Sequence, residues 1–150
     1  MKNLVWLASY PKSGNTWVRA CLMLAITGDL ALDKMIGVIP YFPLLNNAHF
    51  RNDDFSDPIE ASRSAVKTWD KTQHDLSNSA EGRRIIVKTH QVFANINNVQ
   101  FPNLETAYGV IQIVRDPRDI AFSYSAHYGR NIDLAIEKLL DEKNTINEPS

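Results

Sequence analysis

Residues 9–17, Ser-Tyr-Pro-Lys-Ser-Gly-Asn-Thr-Trp, constrain the fold of this chain more than any other stretch. One apolar run precedes them over residues 4–8 and another follows over residues 17–27, which predicts a buried strand, a tight loop and a helix. The free N–H groups and the positive end of such a helix favour an anion. Because Lys12 adds a positive charge and Gly14 allows a close turn, we predict an anion-binding loop rather than an ordinary turn with a surface lysine.

The composition is that of a globular chain without a broad charged face. Its 150 residues suffice for one domain with a core, 44% of them are hydrophobic, and the formal net charge is −1. Such a balance does not predict binding to nucleic acid or to a membrane surface. No run approaches transmembrane length and no targeting segment is recognisable, so we expect a cytoplasmic protein.

The spacing of cysteine and histidine predicts neither an internal disulfide nor a structural metal site. Cys21 is the one cysteine of the chain and lies in an apolar helical run, where we expect it to be buried. The four histidines show no metal-ligand spacing with it. We interpret His49, His74 and His127 as surface or structural residues.

The first part of the chain is predicted to hold two helices with an irregular segment between them. The first helix, over about residues 15–26, is apolar nearly all round except at Arg19, which predicts packing on both sides. Residues 29–57 include an apolar stretch broken by two prolines, typical of a lid or of a loop that faces a substrate. A capped start predicts the second helix over about residues 58–74, and residues 76–82 read as a loop.

The remaining sequence alternates strands with helices, which predicts an α/β fold with a P-loop-like parallel sheet flanked by helices in three layers. The predicted elements are strands over 84–90 and 108–114, helices over 120–128 and 132–143, and a loop or short helix over 91–107. In parallel sheets ligands bind beyond the carboxyl ends of the strands. Three polar clusters fall there, over residues 9–17, 88–90 and 115–123, and this convergence predicts one active site.

The cluster that follows the last strand offers Arg115, Arg118 and Ser123. Arginine binds phosphate through two parallel hydrogen bonds, and Ser123 lies on the following helix within reach of the same anion. Alternatively, Arg115 pairs with Asp116 or Asp119 and only braces the loop. Beside a first anion site, binding is the better interpretation, and two anion sites suggest a ligand with two phosphate-type groups.

The middle cluster, Lys88-Thr89-His90, ends the central predicted strand. Histidine is well suited to accept a proton near neutral pH, so His90 is a candidate general base. Lys12 and Lys88 could neutralise the charge on a transferred group and on its leaving oxygen.

Taken together, these motifs resemble the sulfotransferases that use 3′-phosphoadenosine 5′-phosphosulfate (PAPS). Residues 10–17 look like the 5′-phosphosulfate loop of that family, residues 115–124 look like its 3′-phosphate motif, and residues 88–90 resemble the segment with its catalytic histidine. Asn15 stands where many cytosolic members have threonine. Three motifs in the right order make the resemblance specific.

The resemblance implies in-line transfer of a sulfuryl group from PAPS to a hydroxyl or amine of a small-molecule acceptor, with PAP as product and no metal. His90 would take the acceptor proton, Lys12 would stabilise the leaving phosphate oxygen, and Lys88 would help to hold the sulfuryl group. The residues that the resemblance assigns to PAPS binding are Lys12, Ser13, Gly14, Asn15, Thr16, Trp17, Arg115 and Ser123. Trp17 would lie against adenine.

Members of the family are longer, and a later segment rich in glycine and basic residues completes their cofactor site. No such segment precedes Ser150, so we expect residues 1–150 to form a single sulfotransferase-like PAPS-binding domain, the N-terminal portion of that fold. Two alternatives stay open: a small-molecule kinase of the P-loop class, although Lys12 precedes the glycine instead of following it, and a non-catalytic module that binds PAP or PAPS.

Overall fold

A computed structural model of the chain describes residues 1–42, 58–91, 93–96 and 98–141. Five strands and five α-helices are present in these residues, with a short 3₁₀ turn at Leu32–Lys34 before the second helix. In chain order they are β1 (Leu4–Ser9), α1 (Asn15–Thr27), α2 (Met35–Val38), α3 (Pro58–Ser79), β2 (Ile85–Thr89), β3 (Ala94–Ile96), β4 (Val99–Phe101), β5 (Ala107–Ile113), α4 (Pro117–Tyr128) and α5 (Ile132–Leu140).

The central sheet has the strand order β2-β1-β5, and both pairings are parallel. Ala8 pairs with Thr89 and Ser9 pairs with Ile113, so the three strands end at the same edge of the sheet. The predicted α/β fold with a parallel sheet flanked by helices is confirmed. The polar clusters predicted after each strand therefore begin side by side at this edge.

Aromatic packing holds α3 against one face of the sheet. The indole of Trp6 lies 4.8 Å from the Phe101 ring and 5.1 Å from the Phe42 ring, measured between ring centroids. The buried residues of this core are Leu4, Trp6, Phe42, Val66, Trp69, Val87 and Phe101. Aromatic side chains bury large apolar areas in such contacts. The buried Phe42 ring therefore holds the backbone at residue 42 beside the end of β2.

The helix α3 extends to Ser79, beyond the predicted end near His74. The last turns of α3 are polar in sequence, and hydrogen bonds between Ser77 and Asn3 stabilise them as helix. Ser77 Oγ donates to Asn3 Oδ1 at 2.6 Å, and Asn3 Nδ2 donates back to the Ser77 carbonyl at 2.9 Å. Polarity alone therefore misplaced the end of this helix and the start of the loop predicted over residues 76–82.

The segment predicted as a loop or short helix at 91–107 instead contains the antiparallel hairpin β3–β4. Its turn includes Asn98, whose φ of 65° lies in the left-handed region that asparagine tolerates better than most residues. Asn98 thus marks a hairpin turn. The last helix ends at Leu140, short of the predicted residue 143, which lies outside the described residues.

The helix α1 is not packed on both sides, contrary to the prediction from its apolar sequence. Its buried residues are Asn15, Arg19, Ala20 and Met23. Leu24 and Ile26 are 47% and 58% exposed, and Cys21 is exposed instead of buried. The helix lies with one face toward β1 and α2, and among the described residues nothing covers the opposite face. No helix in the described part of the chain is long and apolar enough to span a membrane.

Candidate active site at the carboxyl ends of the strands

The loop between β1 and α1 forms a cradle of unused hydrogen-bond donors. Ser13 N–H donates to the Tyr10 carbonyl at 3.2 Å, and Gly14 caps α1 with a φ of 96°, in the left-handed region. No described side chain caps α1, so the first amides of the helix have no acceptor. The Ser13 hydroxyl is also buried and has no hydrogen-bond partner among the described residues. Buried polar groups normally have partners, so the loop fits an anion that would supply one.

Asn15 and Trp17, both predicted to bind a ligand, point in different directions. Asn15 is buried, and its Nδ2 donates to the Ser9 hydroxyl at 3.0 Å and to the Leu7 carbonyl at 3.3 Å. This side chain ties α1 to β1, which leaves its backbone N–H for an anion. Trp17 is 79% exposed. Core packing is therefore excluded for Trp17, and its indole is accessible to a flat ring beside the loop.

His90 is held against Ser9 at the ends of β2 and β1. Its Nδ1 lies 2.7 Å from the Ser9 carbonyl and 3.2 Å from the Ser9 hydroxyl. Because a carbonyl can only accept, Nδ1 carries the proton and Nε2 is left with its lone pair. Burial lowers the pKa of His90, the hydrogen bond to Ser9 acts in the opposite direction, and the Lys88 ammonium lowers it further. The ring is thus neutral at pH 7 and able to accept a proton.

Lys88, the cation that acts on His90, is itself near two further cations, Arg19 and Lys12. Burial lowers the pKa of Lys88, and the positive charges of Arg19 and Lys12 lower it further. Among the described ion pairs, none involves any of these three residues. Like charges gathered without counter-charges favour an anionic ligand.

An aromatic residue, Tyr41, covers the Lys88 side of this site. The backbone N–H of Lys88 donates to the Pro40 carbonyl and that of Phe42 donates to the Lys88 carbonyl, both at 2.8 Å. The Tyr41 ring centroid consequently lies 4.7 Å from Lys88 Nζ and 6.3 Å from the His90 ring. The predicted substrate-facing wall over residues 29–57 thus contributes Tyr41 here, while residues 43–57 of that wall lie outside the described residues.

The cluster after β5 approaches the first loop from the other side. Arg115 Nη1 donates to the Lys12 carbonyl at 3.1 Å, so the two predicted anion sites are adjacent. Arg115 Nε also lies 3.8 Å from Asp119 Oδ2, as the bracing interpretation predicts. Ser123 is half-buried on α4, and the structure shows no hydrogen bond from it to Arg115.

Arg118 is exposed and already paired with Asp116. Its Nε and Nη2 donate to the two Asp116 oxygens at 3.0 and 2.6 Å. Asp116 also accepts the Arg118 N–H at 2.9 Å and so caps α4. Arg118 donates two hydrogen bonds from its side chain and one from its backbone N–H, and these hold the pKa of Asp116 below its usual value. Arg118 thus has a structural role at the start of α4.

Comparison with known proteins places this site in a family. Residues 2–148 match the sulfotransferase domain. The chain belongs to the sulfotransferase family. It is 31% identical over 130 residues to luciferin sulfotransferase of Photinus pyralis, an alignment that covers 84% of this chain and 33% of that protein. The chain therefore spans about a third of the length of this relative. Members of the family are enzymes, and the family implies PAPS as co-substrate.

In this sulfotransferase domain the structure brings together Lys12, Lys88 and His90, which sequence reasoning had grouped. It adds Arg19, which sequence reasoning had not assigned to the site, and it gives specific contacts to Ser9 of the 9–17 cluster and to Tyr41 of the 29–57 segment. A single charged residue in an apolar helix was the available signal for Arg19. Ser9 lay in the predicted 9–17 cluster, but its contact with His90 had no signal, because it depends on the parallel pairing of β1 with β2.

The other two described histidines make contacts elsewhere, on α3 and α4. His74 Nε2 is 3.9 Å from Asp70 Oδ1 on α3, and the His127 ring packs against Tyr128. His49 lies outside the described residues. Within the part of the chain that the structure describes, no group of three or more His, Cys, Asp or Glu residues is arranged to hold a metal ion.

Proposed function

We propose that this sulfotransferase domain binds PAPS and transfers its sulfuryl group to a hydroxyl or amine of a small-molecule acceptor. The observation that carries the proposal is the position of His90. Its Nδ1 is bonded to the Ser9 carbonyl, which frees Nε2. The neighbouring cation Lys88 is grouped with Arg19 and Lys12, and none of the three has a described counter-charge. A neutral base next to a positive site suits removal of a proton from an acceptor that attacks an anionic donor.

The loop cluster would hold the 5′-phosphosulfate of PAPS. The uncapped amides of α1, the unpartnered Ser13 hydroxyl and the Lys12 ammonium supply the donors. The exposed Trp17 indole offers a face for adenine. Arg115 and Ser123 would bind the 3′-phosphate, for which Arg115 exchanges its 3.8 Å contact with Asp119 for a phosphate oxygen.

In the proposed reaction the acceptor oxygen or nitrogen bonds to sulfur while the bond from sulfur to the bridging phosphate oxygen breaks. The acceptor proton passes to His90 Nε2. Lys12 balances the negative charge that the bridging oxygen gains on leaving, and Lys88 holds the equatorial sulfuryl oxygens. The proposal assigns charge stabilisation to these lysines and requires no metal. Catalysis in the cytoplasm, without a nucleic-acid or membrane partner, remains a prediction.

Tyr41 narrows the class of acceptor. Its ring faces the reacting edge near His90 and Lys88. An aromatic or apolar acceptor that carries a hydroxyl would stack on this ring and present its oxygen to His90. We therefore propose phenol-like or other apolar small-molecule acceptors over strongly charged ones.

The test is thermal unfolding of the chain with PAP, with ADP and without nucleotide. A ligand that binds only the folded state stabilises it by about 2.7 kcal/mol at a hundred times its Kd. We expect PAP to raise Tm and ADP to raise it much less, because ADP lacks the 3′-phosphate. Equal stabilisation by both would favour the kinase interpretation, and no shift with either would contradict PAPS binding by this chain.

The variant Arg115→Ala tests whether Arg115 binds the 3′-phosphate of PAP. It should weaken PAP binding by about tenfold or more, the cost of one charge-assisted hydrogen bond, and leave the affinity for adenosine 5′-phosphate unchanged. Turnover of labelled PAPS with a phenolic acceptor then separates an enzyme from a module that binds PAP without catalysis.

A further inference from the structure

The buried residue Arg19 is not used by the reaction described above. It lies in α1, one turn after Asn15, and is only 5% exposed. Its Nη2 donates to the Ile39 carbonyl at 2.6 Å, and its Nε is buried without a hydrogen-bond partner among the described residues. A buried cation without a counter-charge is destabilising. Its presence in an otherwise apolar helix therefore suggests a functional reason.

Through Ile39, Arg19 reaches the segment that carries Tyr41. The residue that follows Ile39 accepts the Lys88 N–H through its carbonyl, and Phe42 donates to the Lys88 carbonyl. Phe42 is fully buried in the aromatic core. The segment 39–42 is thus fastened at three points: to α1 by Arg19, to β2 by Lys88, and to the core by Phe42. Only the first of these joins it to the helix of the anion loop.

The charge of Arg19 also acts on Lys88. Burial is the largest cause of the lowered pKa of Lys88, and Arg19 is the next, ahead of Lys12. The other groups that face Lys88 are the neutral His90 ring and the Tyr41 ring. Among the described residues, the charged groups that act on Lys88 are two cations, Lys12 from the loop and Arg19 from α1.

We propose that Arg19 is a positioning residue. It lies on α1, the helix that would bind the donor, and it holds in place the residues on the acceptor side of the site. Its guanidinium holds residues 39–42 against β2, so that Tyr41 lies over Lys88 and beside His90. Its charge adds to the positive field at Lys88. The role in acceptor binding rests on the proposed sulfuryl transfer, whereas the mechanical connection and the effect on Lys88 do not.

Amide hydrogen exchange of the free chain, followed by NMR, tests the mechanical connection. Arg19→Lys and Arg19→Gln both lose the reach to the Ile39 carbonyl. We expect the Phe42 and Lys88 amides to exchange about tenfold faster or more in both variants, since hydrogen bonds from charged groups contribute at least that factor. Amides of the β1–β5 ladder should change much less. Lys71→Gln, which removes an exposed cation of α3 paired with Asp75, is the control.

Titration of the Lys88 side chain in the same samples separates charge from structure. Arg19→Gln removes the positive charge and should raise the pKa of Lys88, whereas Arg19→Lys keeps the charge and should leave it low. A purely structural Arg19 would not produce this difference. The proposal is overturned if Phe42 and Lys88 exchange as in Lys71→Gln, if all ladder amides accelerate equally, or if Lys88 titrates alike in the two Arg19 variants.

These measurements use no nucleotide, so they stand or fall independently of the proposed reaction. With PAPS and a phenolic acceptor, Arg19→Lys should raise the KM for the acceptor more than the KM for PAPS. An equal rise in both, with the local exchange effect present, would keep the mechanical role and remove the role on the acceptor side.

Discussion

The two clusters of cations near the sheet edge differ in whether carboxylates balance their positive charge. The first cluster consists of Lys12, Arg19, Lys88 and His90. Arg19 is buried, Lys88 is partly buried, and no cation of this cluster has a carboxylate partner in the described part of the chain. After β5, Arg118 has a side chain that is 87% exposed and pairs with Asp116, while Arg115 contacts Asp119. We refer to these as the inner cluster and the outer cluster.

The cations of the inner cluster are therefore available to a negatively charged ligand before it binds. Those of the outer cluster must first leave their carboxylate partners. Preorganised charge stabilises a transition state without the cost of rearrangement. Exposed ion pairs contribute little to stability, so the outer arginines can exchange carboxylates for a phosphate at small cost. We therefore assign chemistry to the inner cluster and cofactor selection to the outer one. Each prediction below tests that division.

Replacement of the inner base should have the largest effect. His90→Ala is expected to lower kcat for sulfuryl transfer by about 10²- to 10⁴-fold, the usual contribution of a general base, with PAP affinity nearly unchanged. His74→Ala, on α3 beside Asp70, serves as the control in the same assay. Equal losses in the two variants would show that His90 has no special role.

Replacing one cation in each cluster should weaken PAP binding by different factors. Lys12→Met is expected to weaken PAP binding by about ten- to a hundredfold, the range for hydrogen bonds to charged groups. Arg118→Met should weaken it only a few times (about threefold), because Arg118 is paired with Asp116. Calorimetric titration with PAP measures both. A larger loss in Arg118→Met would contradict the structural role of Arg118 in its pair with Asp116.

Two of the four described glycines with left-handed backbone conformations offer a smaller, matched comparison. Gly14 and Gly129 have φ values of 96° and 61°, and an added Cβ meets no atom within 4 Å at either position. Substitution by alanine should lower the free energy of unfolding by about 1 kcal/mol or more at each, from backbone strain alone. Only Gly14→Ala should also weaken PAP binding. Chemical denaturation and calorimetry test the pair, and equal PAP affinities would remove Gly14 from the anion cradle.

The smallest expected effect is the pH dependence of stability. The pKa of His90 is lowered in the folded protein, first by burial, so the unfolded chain takes up a proton near pH 6.5 while the folded chain does so only at lower pH. The free energy of unfolding should therefore fall as the pH drops through 6.5, because the unfolded state binds more protons. His90→Gln should flatten this slope in denaturation at several pH values. An unchanged slope would contradict a buried, neutral His90.

The outer cluster should not contribute in that pH range. Hydrogen bonds from Arg118 lower the pKa of Asp116, so this carboxylate stays ionised until the pH is well into the acid range. Its stabilising effect is present above the ordinary pKa of aspartate and is lost only at lower pH. Asp116→Asn should leave the slope near pH 6.5 as in the unaltered chain.

Much of the fold could be predicted from local patterns. The apolar strand before residues 9–17, the β-branched strand before His90 and the apolar strand before Arg115 lie where the structure has β1, β2 and β5. The extension of α3 could not be predicted, since Ser77 is helical through its contact with Asn3. The hairpin β3–β4 was missed because its strands are short, and isolated short strands have little pattern of their own.

For the candidate site, sequence alone determined which side chains meet, because parallel strands end at one edge and carry Lys12, His90 and Arg115 there. Tertiary structure alone decided how each is held. The hydrogen bond to the Ser9 carbonyl decides which nitrogen of His90 carries the proton. The hydrogen bond to the Ile39 carbonyl holds the guanidinium of Arg19 in its buried position. Hydrogen bonds between residues distant in sequence have no local signature, since each group is ordinary until the fold brings its partner within 3 Å or so.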